Sequence, residues 1–201
     1  MKPFWFRFPY FLLRSVKKPS EAFRVIRNHG PAPDIVAVVV TGGASLLLAV
    51  FLGSLPAHQG GRFRTVVIAD RLLETAVYYG GACIVACAFS VVAAPIAGYF
   101  TSKARLFRTI LGSLLVVALA GGLGGWILAG LLIVEGGTLS YETQPLAVGL
   151  FVVLTVPLEV LSIMEIHELD LPKSLGIAVL AALPILLLSG LLVLFALPFL
   201  R

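Results

Sequence analysis

Five long apolar stretches divide this chain, and short polar breaks separate them. Each stretch is at least about 20 residues long, the length that a helix needs to cross the hydrocarbon core of a bilayer. Because unpaired backbone groups are costly in lipid, each stretch is predicted to be helical. The sequence therefore predicts an all-α bundle with spans at 35–56, 79–101, 108–134, 145–164 and 174–199.

The composition agrees with a membrane protein. Of the 201 residues, 59% are hydrophobic and only 12% are charged, whereas soluble domains are about 45–50% apolar and about 25% charged. The chain is therefore expected to form one polytopic helical domain over residues 32–201, preceded by an amphipathic, interfacial segment over residues 1–31. The hydrophobic spans leave no room for a soluble catalytic domain, so the chain is not expected to be an enzyme.

The basic residues are unevenly distributed between the breaks. Eleven of the fifteen Lys and Arg residues lie before the first span, after the second span or before the fifth span. Short breaks make neighbouring spans antiparallel, so these three regions share one side of the membrane, which the positive-inside rule assigns to the cytoplasm. The prediction is a multi-pass protein of the cell membrane, with its N-terminus cytoplasmic and its C-terminus outside.

The formal net charge of +5 changes the expected partners. The basic residues stand beside apolar stretches instead of forming a separate basic domain, which favours anionic lipid headgroups as partners and argues against nucleic acid.

The longest break contains TVVIADRLLETAVYY (65–79), with apolar residues at helical spacing around its charges. We expect an interfacial helix there that continues into the second span, or an ordinary amphipathic start of that span.

The N-terminal segment combines aromatic rings with cations, a pattern that favours the headgroup layer. The stretch 18–27 is predicted to form a short helix, because Pro and Ser stand at its start and Glu in its first turn. Two interpretations remain open, a membrane anchor and a docking surface for a membrane or cytosolic protein. The candidate contacts with partners or headgroups are Trp5, Arg14, Lys17, Lys18, Phe23, Arg24, Arg27, Lys103, Arg105 and Arg108.

A carboxylate interrupts the fourth apolar stretch. Glu159 lies at a depth where an ionisable group costs about 2.5 kcal/mol or more, which makes it a candidate functional residue. Ser162 follows it by one turn, and Glu165 stands at the end of the stretch, so these three residues form a candidate intramembrane site. Such groups can bind a cation or relay protons. In the alternative, Glu159 reaches the interface or bonds to a neighbouring helix and has no further role.

Small residues are the strongest packing signal in the sequence. Gly121 and Gly125 form a small-xxx-small pair in the third span, a spacing typical of close helix contact. The Pro residues of the second and fifth spans leave open a gap for substrate between broken helices. No spacing of His, Cys or acidic residues is typical of a tight metal site, and neither a metal nor a cofactor is predicted.

Three segments resemble the prokaryotic branch of the Yip domain family: KKPSEAFRVIR (17–27), LFRTIL (106–111) and IHELDLPKS (166–174). The resemblance covers most of the chain and implies a five-span, non-enzymatic membrane protein. The chain departs from the family in two ways. It lacks the Asp-Leu-Tyr-Gly-Pro element of the eukaryotic members linked to Rab GTPases, and its last inner loop is unusually acidic.

Two functions are therefore expected. The first is a protein that organises membranes or recruits partners through its N-terminal segment and its two inner loops. The second is a small transporter, channel subunit or lipid-moving protein that uses Glu159.

Overall fold

Six α-helices make up the elements that the structure describes. It is a computed structural model, which describes residues 11, 13–29, 32–55, 63–98, 102–135 and 144–196. The prediction of an all-helical fold is confirmed for this part of the chain. In chain order the helices are α1 (Pro19–His29), α2 (Ala32–Ser54), α3 (Phe63–Ala97), α4 (Lys103–Val134), α5 (Gln144–His167) and α6 (Leu171–Ala196).

Four of these helices are long and apolar enough to cross a membrane. The apolar segments are Pro33–Ser54, Ala69–Ala97, Lys103–Val134 and Gly149–His167, and a shorter apolar segment, Leu171–Leu187, lies in α6. Many large apolar side chains point away from the bundle, which suits contact with acyl chains better than contact with water. Four apolar spans thus agree with a membrane protein.

The helices extend beyond several of the predicted spans. The amphipathic stretch at 65–79 and the second span form one continuous helix, α3, which ends at Ala97 and not at 101. Pro95 lies in its last turn and cannot donate a backbone hydrogen bond, which weakens the helix there. The next helix, α4, begins five residues before the predicted 108, because the Ser102 side chain accepts a hydrogen bond from the Arg105 amide as an N-cap.

The fourth long helix also continues past the predicted end of its span. Helix α5 continues past 164 to His167, so Glu165 and His167 are helical and do not belong to the loop. Glu168 ends the helix with a positive φ of 57°, the left-handed conformation that commonly terminates helices. Helix α6 then begins at Leu171, so the turn between the two helices is shorter than the predicted break.

Helix α4 lies at the centre of the bundle and packs against α1, α2, α3 and α5. A core cluster joins α1 to the other helices: Phe23 and Ile26 are fully buried, and they belong to the same cluster as the buried Leu115 of α4 and Ile166 of α5. The helix thus docks on the bundle through its apolar side. Helix α1 therefore contributes part of the bundle's core.

Helices α2 and α4 approach each other so closely that side chains would not fit between them at several points. A Cβ added to Gly42 would lie 2.6 Å from the carbonyl oxygen of Ala118, and one added to Gly125 would lie 3.0 Å from the Cα of Leu46. A Cβ on Gly121 would lie 2.8 Å from the ring of Tyr79. Gly121 and Gly125 therefore lie in tight contacts, with α3 and α2 respectively.

Candidate functional site: a carboxylate beside an apolar cavity

Glu159 lies in the middle of the apolar segment of α5. It stands ten residues after Gly149 and eight before His167, and eight residues of helix correspond to about 12 Å. The Oγ of Ser113 on α4 donates a hydrogen bond to Oε1 of Glu159. The Oγ of Ser90 on α3 donates in turn to Ser113 at 2.8 Å. A chain of hydrogen bonds thus connects α3 and α4 to this carboxylate of α5.

The chain of hydroxyls can serve both protonation states of Glu159. Ser90 and Ser113 are fully buried, and Ser90 Oγ also lies 2.9 Å from the carbonyl oxygen of Ala86. With a charged Glu159, the hydroxyls donate toward the carboxylate. With a neutral Glu159, the direction of the chain reverses, because each hydroxyl can both donate and accept. The carboxyl then donates to Ser113, Ser113 donates to Ser90, and Ser90 donates to the carbonyl oxygen of Ala86. No hydroxyl in the chain loses its partner in either arrangement.

Glu159 also lines a large cavity between the helices. The cavity has a volume of about 820 Å³, and α3, α4, α5 and α6 supply most of its lining. That lining is mainly apolar, and Glu159 is the one carboxylate among the described residues that form it. The cavity therefore suits an apolar molecule with a polar group at one point.

Tyr79 forms one side of this cavity, and two glycines make room for its ring. Its hydroxyl donates to the carbonyl oxygen of Val39 on α2 at 2.7 Å. A Cβ added to either Gly43 or Gly121 would lie 2.8 Å from the ring, on opposite edges. The ring is thus held between α2 and α4, and it fixes α3 against both helices.

The three residues of the predicted intramembrane site have different surroundings. Glu159 lines the cavity, whereas Ser162 is 1% exposed and packs against α4, where a Cβ on Gly112 would overlap its Oγ. Glu165 follows Glu159 by six residues, which is about 240° around a helix, so it lies on another side of α5. The structure therefore does not bring Ser162 and Glu165 to the cavity.

Glu165 instead joins α5 to α1. The guanidinium of Arg24 donates to both carboxylate oxygens, at 2.7 Å from Nε and 3.0 Å from Nη2. The hydrogen bond to Glu165 raises the pKa of Arg24 above its ordinary value. Arg27 bonds to the Glu165 carbonyl oxygen at 3.2 Å and pairs with Glu168 at 2.9 Å. Two arginines of α1 therefore bind the C-terminal end of α5, next to the buried contact of Phe23.

A second ion-pair group stabilises the start of α1. Glu21 pairs with Arg14 at 2.8 Å and with Lys18 at 3.1 Å. The hydrogen bonds from Lys18 and Arg14 lower the pKa of the Glu21 carboxyl. A carboxyl with a lowered pKa stabilises the fold above its unfolded-state pKa, and this contribution is lost as the pH falls through the folded-state value.

The predicted contact residues differ in accessibility. Lys17, Lys18, Lys103 and Arg105 are exposed, as a surface contact requires. Phe23 is fully buried in the core and is not accessible to a partner, so its prediction as a contact residue is corrected. Its amphipathic spacing indicated a surface contact, but the apolar side of α1 packs on the bundle. Trp5 lies outside the described residues.

Sequence reasoning did not find Ser90, Ser113 or Tyr79 as partners around the cavity. Each is a polar residue within an apolar span, which is a signal that a sequence can provide. What it cannot provide is the rotation and depth of each helix, and these decide which polar groups meet.

The fold and these polar contacts define a helical bundle with four helices long and apolar enough to cross a membrane, and with a carboxylate inside one of these apolar segments. Comparisons of the chain with protein-family models, with curated proteins and with solved structures find no match.

Proposed function

We propose that this protein binds a lipid-like molecule between its helices and moves it within or across the membrane. The observation that carries the proposal is the apolar cavity of about 820 Å³ lined by Glu159. An apolar lining favours acyl chains or another hydrophobic body, and a single carboxylate offers one polar contact. A hydrated ion would find few polar ligands along these walls, so a lipid-like cargo fits better than an ion.

The proposal includes the arrangement in the membrane. Helix α6 (Leu171–Ala196) serves as the fifth span, which brings the total to five. The distribution of the basic residues favours, by the positive-inside rule, a cytoplasmic N-terminus and a C-terminus outside the cell membrane. Glu159 then lies near mid-membrane and can change its protonation state without losing its hydrogen-bond chain, which suits a cycle of binding and release.

Replacing Glu159 by Gln tests the polar contact. The amide oxygen can still accept from Ser113, but the side chain can no longer ionise. Transfer of a fluorescent lipid between the leaflets of reconstituted vesicles should fall roughly tenfold, because a hydrogen bond to a charged group is stronger than one to a neutral group. The dependence of transfer on pH should also disappear.

Two further variants serve as controls for this experiment. Thr155→Val alters another cavity-lining residue while leaving Glu159 in place, and it should keep the pH dependence. Ala182→Phe adds a ring to the cavity wall and should slow transfer. The proposal fails if vesicles that contain the wild-type protein transfer no more lipid than empty vesicles do.

A second candidate function is a membrane-organising scaffold, as the resemblance to the Yip domain family implies. The observation that favours it is the meeting of α1, the start of α4 and the turn after α5 at one end of the bundle. These are the segments that carry the resemblance. Together they form one continuous surface with exposed cations, which suits recruitment of an acidic protein partner.

Substitutions on that surface test the scaffold without disturbing the core. Removing residues 1–29 would take Phe23 and Ile26 out of the core, so surface changes are more informative. Lys17→Gln together with Lys103→Gln should abolish crosslinking to specific proteins in native membranes, as judged by mass spectrometry. Asp70→Asn, an exposed change on α3, should leave the crosslinked set intact. If both variants capture the same proteins, this end of the bundle recruits none of them.

A further inference from the structure

A second, smaller cavity lies where α1, the first two turns of α4 and the C-terminal end of α5 meet. Its volume is about 320 Å³, about ten times the roughly 30 Å³ that one water molecule occupies in the liquid. In contrast to the cavity at Glu159, its lining is mainly polar. The polar residues that line it are Arg27, Asn28, Arg105, Arg108, His167 and Glu168.

The charge of this basic cavity is unbalanced. Arg27 is paired with Glu168 at 2.9 Å. Among the residues that the structure describes, neither Arg105 nor Arg108 has an acidic partner for its guanidinium. Three guanidinium groups therefore line the cavity against one carboxylate, and the side chain of that carboxylate is 71% exposed to solvent. The excess of positive charge favours an anion.

The imidazole of His167 gives a second, independent indication of a ligand. The residue is only 9% exposed, and its Nε2 lies 3.0 Å from the Oγ1 of Thr109. Its other ring nitrogen, Nδ1, is buried and has no hydrogen-bond partner among the described residues. A buried polar atom without a partner is costly. Since His167 lines this cavity, a ligand that reaches Nδ1 from it would supply the missing partner.

The tautomer that an anion would select follows from these contacts. If Thr109 donates its hydroxyl proton to Nε2, the neutral ring carries its proton on Nδ1 and can donate it to an anion. If Thr109 instead donates to the carbonyl oxygen of Arg105, which lies 3.0 Å away, the ring carries its proton on Nε2. Nδ1 is then an acceptor, which an anion cannot satisfy. An anionic ligand thus favours the first arrangement.

We infer that this basic cavity binds a phosphate group, through the guanidinium groups of Arg105 and Arg108 and the Nδ1–H of His167. Guanidinium groups offer several fixed donors that match the oxygens of a phosphate. A lipid headgroup and a soluble phosphate compound share this chemistry. The inference does not depend on the cavity at Glu159, since the residues of the two cavities are different.

Lipid retention tests the site with the full-length chain. The protein is purified from membranes containing both phosphatidylglycerol and phosphatidylcholine, and the bound lipid is identified by native mass spectrometry. Arg105→Gln and Arg108→Gln should each reduce retained phosphatidylglycerol about tenfold, because each removes hydrogen bonds between charged groups. Lys173→Gln is the matched control, since this exposed cation lies in the first turn of α6, shortly after the end of α5, but outside the cavity lining. It should retain lipid as the wild type does.

A second measurement identifies the source of the phosphate and does not depend on lipid retention. Inorganic phosphate is titrated into the protein in nanodiscs of neutral lipid, and the ¹⁵N signals of His167 are recorded. Binding should convert the ring to the tautomer with its proton on Nδ1, and Arg108→Gln should weaken binding about tenfold. Phosphatidylglycerol retention without a response to inorganic phosphate assigns the site to a lipid headgroup, and the reverse result assigns it to a soluble phosphate.

The inference is overturned if neither probe distinguishes the Arg105→Gln and Arg108→Gln variants from Lys173→Gln. The arginines would then act only as part of a diffuse surface charge. Arg108→Lys keeps the charge and should bind more strongly than Arg108→Gln. If all the arginine variants lose their helical far-UV spectrum, the ¹⁵N response of His167 in the wild type decides, and no change on adding either probe refutes the site.

Discussion

Phe23→Ala should destabilise the protein by about 3–5 kcal/mol, the usual cost of truncating a buried aromatic ring. Phe23 of α1 is fully buried against α4 and α5, where it belongs to the same core cluster as Leu115 and Ile166. Its loss would leave a cavity under α1, and the short helix would then be held by the smaller core residues Ala22 and Ile26 and by its ion pairs. We therefore expect α1 to detach before the rest of the bundle unfolds.

Unfolding in mixed micelles of increasing sodium dodecyl sulfate content measures the change in free energy, and hydrogen exchange locates it. Amides of α1 should exchange faster in Phe23→Ala, whereas those in the middle of α4 should change little. Leu13→Ala is the matched control, because Leu13 is 53% exposed and its truncation should cost little. Equal stability of the two variants would show that α1 does not dock on the bundle through Phe23.

Gly42→Ala should destabilise the bundle by about 1–3 kcal/mol, the range for overpacking a close contact. A Cβ at this position would lie 2.6 Å from the carbonyl oxygen of Ala118 and 3.0 Å from its Cα. Both are backbone atoms, so no side chain can rotate away. Helices α2 and α4 would have to move apart, and the contacts along their whole interface would weaken.

A glycine in open space offers a matched control with the opposite sign. A Cβ added to Gly80 of α3 would meet nothing within 4 Å. Since Ala is favoured over Gly inside a helix, Gly80→Ala should stabilise the protein by about 0.5–1 kcal/mol. Thermal unfolding in detergent compares the two variants. If Gly80→Ala destabilised the protein as much as Gly42→Ala does, the close contact with Ala118 would not be the cause of the effect.

The two proposed sites lie at different depths and have different chemistry. Glu159 stands beside an apolar cavity, about 12 Å along α5 from His167, and His167 lines the basic cavity. Both sites include residues of α5. The C-terminal end of this helix is bound to α1 through the ion pair of Arg24 and Glu165. Changes in the ion pairs of α1 can therefore affect the position of α5, and through it the surroundings of Glu159.

Local features of the sequence were enough to predict the helices and many of their ends. Apolar length predicted the long helices, because backbone groups in lipid must pair within a helix. Pro19 and Ser20 marked the start of α1. The predicted fourth span ended at 164, because the polar residues Glu165 and His167 were assigned to the following loop. Helix α5 instead ends at His167. Glu165 and His167 remain helical because Arg24 and Thr109, distant in sequence, bind their side chains.

The sequence by itself determined the helical class of this protein, the apolar length of its long helices and the presence of a carboxylate within one apolar stretch. The tertiary structure alone decided that Glu159 meets Ser113 and the apolar cavity while Glu165 binds Arg24. It also decided that Phe23 is a core residue. The physical reason is that hydrophobicity and helical spacing are properties of one segment. Which sides of two helices face each other depends on packing between residues far apart in the chain.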